Sequence, residues 1–141
     1  KFGKIFKISN RVFNYKNKVN SEKKIISEIT NKNIKLICLA GFMRILSKDF
    51  VKSFKGKILN IHPSLLPKYK GLNTHQRVIS NREKYSGCTV HFVNSRLDSG
   101  KIILQKKVKI SKLDTAKSLA RRILNQEHKL YPKAINKVFS L

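Results

Sequence analysis

Between Ile58 and Pro67 the chain must form a strand, present polar side chains on one of its faces, and stop. Asn60 and His62 alternate with Leu59 and Ile61, and in an extended strand residues two apart point the same way. Pro63 has no N–H to give to a ladder, and Pro67 closes a rigid, partly apolar loop. An amide and an imidazole therefore stand side by side at the end of a strand, where open α/β sheets bind their ligands. Asn60 brings two N–H donors, and His62 exchanges a proton near neutral pH. Aimed at a carbonyl oxygen, the pair suits attack of a nucleophile on a small acyl group. A strand end with a turn Asn and a surface His accounts for the local pattern equally well.

The rest of the chain reads as strands alternating with helices, which indicates an α/β sheet. Residues 4–8 alternate polar and apolar and predict a strand. Ser21 can cap a helix over about 21–31, with Ile25, Ile26 and Ile29 on one face. The continuous apolar run Leu36 to Ala40, ended by Gly41, predicts a buried parallel strand. Ser47 caps a short helix to about Ser53, a strand covers 57–61, and a helix covers about 74–81. Residues 88–93 and 102–108 predict two further strands, and a last helix covers about 114–138, bent before Pro132. All 141 residues are expected to form one domain.

Composition narrows the class. No apolar run nears the roughly 18 residues of a membrane span, and the basic N-terminus lacks the apolar stretch of a signal peptide. Cys38 and Cys88 lie far apart in strand-like runs and predict reduced core thiols, which points to the cytoplasm. No spacing suggests a metal site. The net charge of +25 suits a nucleic-acid binder, but 25 of the 32 basic residues are lysines spread over the chain. Base readers favour arginine, so a compositional bias is the better account and a nucleic-acid partner is not expected. With only three Asp and four Glu, a carboxylate inside a motif carries more weight than usual. Asp98 is one: Asp-Ser-Gly is common turn chemistry, and its carboxylate is equally suited to orient His62 and favour the imidazolium. His91 reads as a structural histidine or one that supports a neighbour, His75 as a candidate to line a site, and His128 as part of helix packing.

Four stretches in this order resemble the glycinamide ribonucleotide formyltransferase family: Leu39 to Leu46, Asn60 to Leu72, Leu97 to Gly100, and Gln126 to His128. The resemblance runs from about Lys4 to the C-terminus. It implies a mostly parallel, doubly wound, Rossmann-like sheet, and transfer of a formyl group from 10-formyltetrahydrofolate to the amine of phosphoribosylglycinamide in purine biosynthesis. By position, Asn60 would hold the formyl oxygen, His62 would act as general acid, and Asp98 would raise the imidazole pKa and organise a proton-relaying water. Met43, Arg44, Ile45 and Leu46 would line the folate pocket, Lys18 would give it a basic contact, and Glu127 would bind the ribose hydroxyls. The substrates implied are small molecules; no metal is implied, and oligomeric state stays open.

Two relatives share Asn-x-His and Leu-Asp-x-Gly. Lys68 to His75 differ from the methionyl-tRNA formyltransferase pattern, and Pro63 and Leu65 differ from that of formyltetrahydrofolate deformylase. A fragment that binds nucleic acid through its lysines is the non-enzymatic alternative. The family opens with a strand and a glycine-containing phosphate loop at a helix N-terminus. This chain has six glycines, no Gly-x-Gly and no initial Met, so the N-terminal strands of the family are expected to be missing from it.

Overall fold

The computed structural model describes residues 2–140, and contacts divide them into two compact units that meet in sequence at Ile34 and Lys35. In the first unit, α1 covers Phe2–Ile5 and α2 covers Lys18–Asn31. The strand expected over 4–8 is absent. The chain turns there instead, with Lys7 at φ 52° and the Ile8 N–H donating to the Gly3 carbonyl at 2.7 Å. Ile5, Phe6 and Ile8 are all exposed, so the alternation has no sheet face to cover. α2 starts earlier than Ser21 because Asn17 takes the capping role, accepting from the Asn20 N–H at 3.1 Å. The Ser21 hydroxyl is already used, donating back to the carbonyls of Asn14 and Asn17 at 2.7 and 2.8 Å.

The second unit is an α/β sheet with helices. Its elements are β1 (Leu36–Leu39), α3 (Lys48–Ser53), β2 (Lys57–His62), α4 (Thr74–Ser80), β3 (Tyr85–Phe92), β4 (Ile102–Lys109) and α5 (Ala116–Phe139). The strands lie in the order β1-β2-β3-β4. β1 and β2 pair in parallel across α3, whereas β2–β3 and β3–β4 are antiparallel. Parallel pairing therefore does not predominate among the described strands. The link from β3 to β4 is too short for the crossover that a parallel neighbour needs.

The core gathers where α5 packs on β3 and β4: Val78, Cys88, Val90, Leu119, Ile123, Leu130 and Ala134 are buried there. Cys88 is thus a core thiol as expected, but Cys38 is exposed, since β1 lies at one edge of the described sheet. Both are free thiols. Thr115 caps α5 in a reciprocal box with Ser118, so the helix begins at Ala116 and not at Asp114, and it continues through Pro132. The Tyr131 hydroxyl on α5 lies 2.9 Å from the Leu39 carbonyl and 3.0 Å from that of Leu59, which ties α5 to β1 and β2.

Candidate functional site

β2 ends on His62, one residue later than its apolar pattern predicts, and Asn60 and His62 stand on the same side of it. Antiparallel pairing sets Asn60 directly across from His91 on β3. The buried His91 ring lies with Nδ1 2.8 Å from the Phe92 carbonyl and Nε2 3.3 Å from the Asn60 Nδ2. A carbonyl only accepts, so Nδ1 carries the proton and Nε2 offers its lone pair to the amide. The neutral imidazole thereby fixes which way the Asn60 amide faces. One of its two N–H bonds is taken by His91 and the other remains.

The loop after β2 is tied down from the sheet. Pairing across β3 and β4 brings Thr89 opposite Gln105. The Thr89 hydroxyl, fully buried, donates to the Ser64 carbonyl at 2.6 Å and accepts from the Leu66 N–H at 3.1 Å. The Gln105 amide donates to that hydroxyl and to the Leu66 carbonyl, both at 2.8 Å. Farther on, the Tyr69 carbonyl meets His62 Nε2 at 2.8 Å.

Asp98 closes the arrangement. It adopts φ 43°, a left-handed conformation that Asp tolerates better than most residues. Its Oδ2 lies 3.3 Å from His62 Nδ1 and accepts the Gly71 N–H at 2.9 Å, and its Oδ1 lies 3.7 Å from His91 Nε2. Both His62 nitrogens thus face acceptors. The ring can donate to one of them when neutral and to both when protonated. The two sequence readings of Asp98, turn residue and partner of His62, hold together in one geometry.

These groups open onto a cavity of about 1120 Å³. That exceeds the roughly 300–1,000 Å³ of a typical small-molecule site and leaves room for two reactants. Met43, Arg44, Ile45 and Leu46 line it, as does Glu127 on α5. Leu46 is buried, while Met43 and Ile45 are exposed at 75% and 55% and offer apolar surface to the opening. With Leu72, Val93 and Leu97 they make an apolar wall. Burial pushes the Glu127 carboxyl above the usual range, and the neighbouring His128 opposes this. Lys18 opens α2 in the first unit. Among the described residues, no group of three or more His, Cys, Asp or Glu stands together as metal ligands.

His91, read from the sequence as structural or as supporting a neighbour, and the carbonyl of Tyr69, which sequence reasoning did not name, complete the arrangement. Only the β2–β3 register places the first, and no side-chain pattern signals a backbone carbonyl. His75 does line the cavity, with a buried Nδ1 that has no partner among the described residues. Burial lowers the pKa of His75, helped by the charge of His62. Burial also lowers that of His91, opposed by the Phe92 carbonyl and Asp98 and reinforced by His62 and Lys70. Because both values are depressed below about 6.5, the unfolded value, the stability they contribute is complete above it and lost as pH falls through the folded values. The urea midpoint should drop between pH 8 and pH 5.5, and less steeply in His75→Gln. An equal slope in that variant would disprove the assignment.

A family profile described as formyl transferase matches residues 4–135. The human "Trifunctional purine biosynthetic protein adenosine-3" is 46% identical over 136 residues, which cover 94% of this chain and 14% of that protein. The "Phosphoribosylglycinamide formyltransferase" of Haemophilus influenzae is 46% identical over 122 residues, 86% of this chain and 58% of that protein. The crystal structure of phosphoribosylglycinamide formyltransferase from Campylobacter jejuni superposes with a TM-score of 0.86 at 31% identity, covering 98% of this chain and 72% of that one. The chain thus spans less than two thirds of the length of these two curated relatives.

Proposed function

Starting from a chain that belongs to the formyl transferase family, we propose that it transfers a formyl group from 10-formyltetrahydrofolate to the amine of phosphoribosylglycinamide, in purine biosynthesis. The observation that carries this reading is the convergence of Asn60, His62 and Asp98 on one large cavity with an apolar wall. The amine is itself the nucleophile, so the protein needs none. Its tasks are to orient two reactants, to stabilise an oxyanion and to move protons.

The free N–H of Asn60 is placed to meet the oxygen of the carbonyl under attack. The amine adds to the formyl carbon and gives up a proton, and His62 delivers a proton to the tetrahedral centre. The bond to the tetrahydrofolate nitrogen breaks and tetrahydrofolate leaves, and Asp98 holds the ring through Nδ1 throughout. For this, Nε2 exchanges its contact with the Tyr69 carbonyl for one with the reacting group. Met43, Arg44, Ile45 and Leu46 would hold the folate, which supplies the activated formyl group. Glu127 would take the ribose hydroxyls.

The test follows loss of formyl from 10-formyltetrahydrofolate with phosphoribosylglycinamide, with initiator methionyl-tRNA, and with water alone. Turnover is expected with the glycinamide only. Turnover with the tRNA or with water would replace this reading by one of its two relatives.

A further inference from the structure

Two backbone atoms of the loop after β2 meet the His62–Asp98 pair: the Tyr69 carbonyl at His62 Nε2 and the Gly71 N–H at Asp98 Oδ2. The loop that carries them is costly as bare backbone. Tyr69, Gly71 and Asn73 all lie in the left-handed region, at φ 57°, 77° and 55°. Asn tolerates that conformation, but a bulky residue such as Tyr needs support from its surroundings. Side chains supply the support. Ser64 Oγ donates to the Lys68 carbonyl at 2.7 Å. From α4, Arg77 Nη1 donates to the Lys70 carbonyl at 2.7 Å and reaches that of Leu72 at 3.4 Å. The guanidinium also lies over the Tyr69 ring, 5.3 Å from its centre. The Tyr69 hydroxyl is anchored in turn, donating to Glu83 at 2.9 Å.

The bond to Lys70 matters most. The Lys70 carbonyl and the Gly71 N–H are two ends of one planar peptide unit and point opposite ways. Arg77 on the oxygen therefore fixes where the N–H is aimed. A cation there also polarises the unit, so that the N–H donates more strongly. We propose that Arg77 is a positioning residue for formyl transfer. Through the peptide between Lys70 and Gly71 it sets the Asp98 carboxylate, and through that carboxylate it sets His62 Nδ1. The inference rests on the function proposed above. Gly71 and Asp98 line the cavity and Arg77 does not, so Arg77 acts on the reaction only through the loop. Its side chain is exposed, and replacing it opens no cavity in the core.

NMR hydrogen exchange and steady-state kinetics on the full chain test this together. In Arg77→Ala the Gly71 amide should exchange with solvent about tenfold faster, while the amides of α5 keep their protection. The kcat of transfer should fall about tenfold, with tetrahydrofolate affinity unchanged. Arg77→Lys keeps a donor for the Lys70 carbonyl and should retain most of both. In an Asp98→Ala background, removing Arg77 should cost no further rate, because the carboxylate it positions is gone. Additive losses overturn the proposal, as does unchanged Gly71 exchange in Arg77→Ala. So does an Arg77→Lys variant as impaired as Arg77→Ala. Loss of protection in α5 alongside Gly71 also overturns it, since Arg77 would then serve the fold as a whole. Absence of transfer from a protein whose Gly71 exchange depends on Arg77 would count against the function and leave the brace standing.

Discussion

Replacing His62 by alanine is expected to lower formyl transfer by about 10²–10⁴-fold, the usual range for a positioned acid–base group. Folate affinity should hold, because the imidazole contacts Asp98 and the Tyr69 carbonyl, not the apolar wall formed with Met43 and Ile45. The loss should therefore fall on kcat. Asp98→Ala should behave similarly through a different route. That carboxylate holds His62 Nδ1 at 3.3 Å and the Gly71 N–H at 2.9 Å, so removing it frees both the ring and the loop. Asp98→Asn keeps the size and one acceptor but removes the charge, and its rate should lie between the two. Steady-state kinetics with both substrates varied, beside a tetrahydrofolate titration, measure this. Wild-type turnover in either alanine variant would remove His62 and Asp98 from the proposed chemistry.

Local signals were legible where chemistry is local. The alternation around Asn60, the stop at Pro63, and the cap at Ser47 each act over a few residues, and the fold follows them. Pairing is different. Nothing in the text around Asn60 announces that His91 lies across from it, because register is set by two segments and the path between them. The same limit explains residues 4–8: alternation predicts a strand only if another strand is there to pair, and here the backbone closes on Gly3 instead. The run Leu36 to Ala40 reads as buried on both faces, yet Cys38 is exposed, since burial of a strand depends on its neighbours. Among the described strands, the resemblance to a mostly parallel sheet carries over to β1 and β2 only.

Gly100→Ala should be the most damaging of the small substitutions in this chain, and for a reason other than turn conformation. A Cβ at Gly100 would collide with the Phe92 carbonyl oxygen and lie 2.7 Å from its carbon. The obstacle is backbone, so no side chain can rotate away. That carbonyl also holds His91 Nδ1, and His91 in turn orients Asn60. Forcing the Gly100 backbone away from Phe92 should cost at least the roughly 1–3 kcal/mol of overpacking and should lower transfer as well, since Asp98 lies two residues away. Gly41→Ala is the informative comparison. It lies at φ +63° with nothing within 4 Å of the added carbon, so only backbone strain of about 1–2 kcal/mol opposes it. Urea unfolding of both variants separates the two causes. If Gly100→Ala unfolds no more readily than Gly41→Ala and turns over normally, the close approach of Gly100 to Phe92 does not hold the site together. A larger loss of stability, with the transfer rate falling beside it, would tie the geometry of Asn60 to a glycine forty residues away.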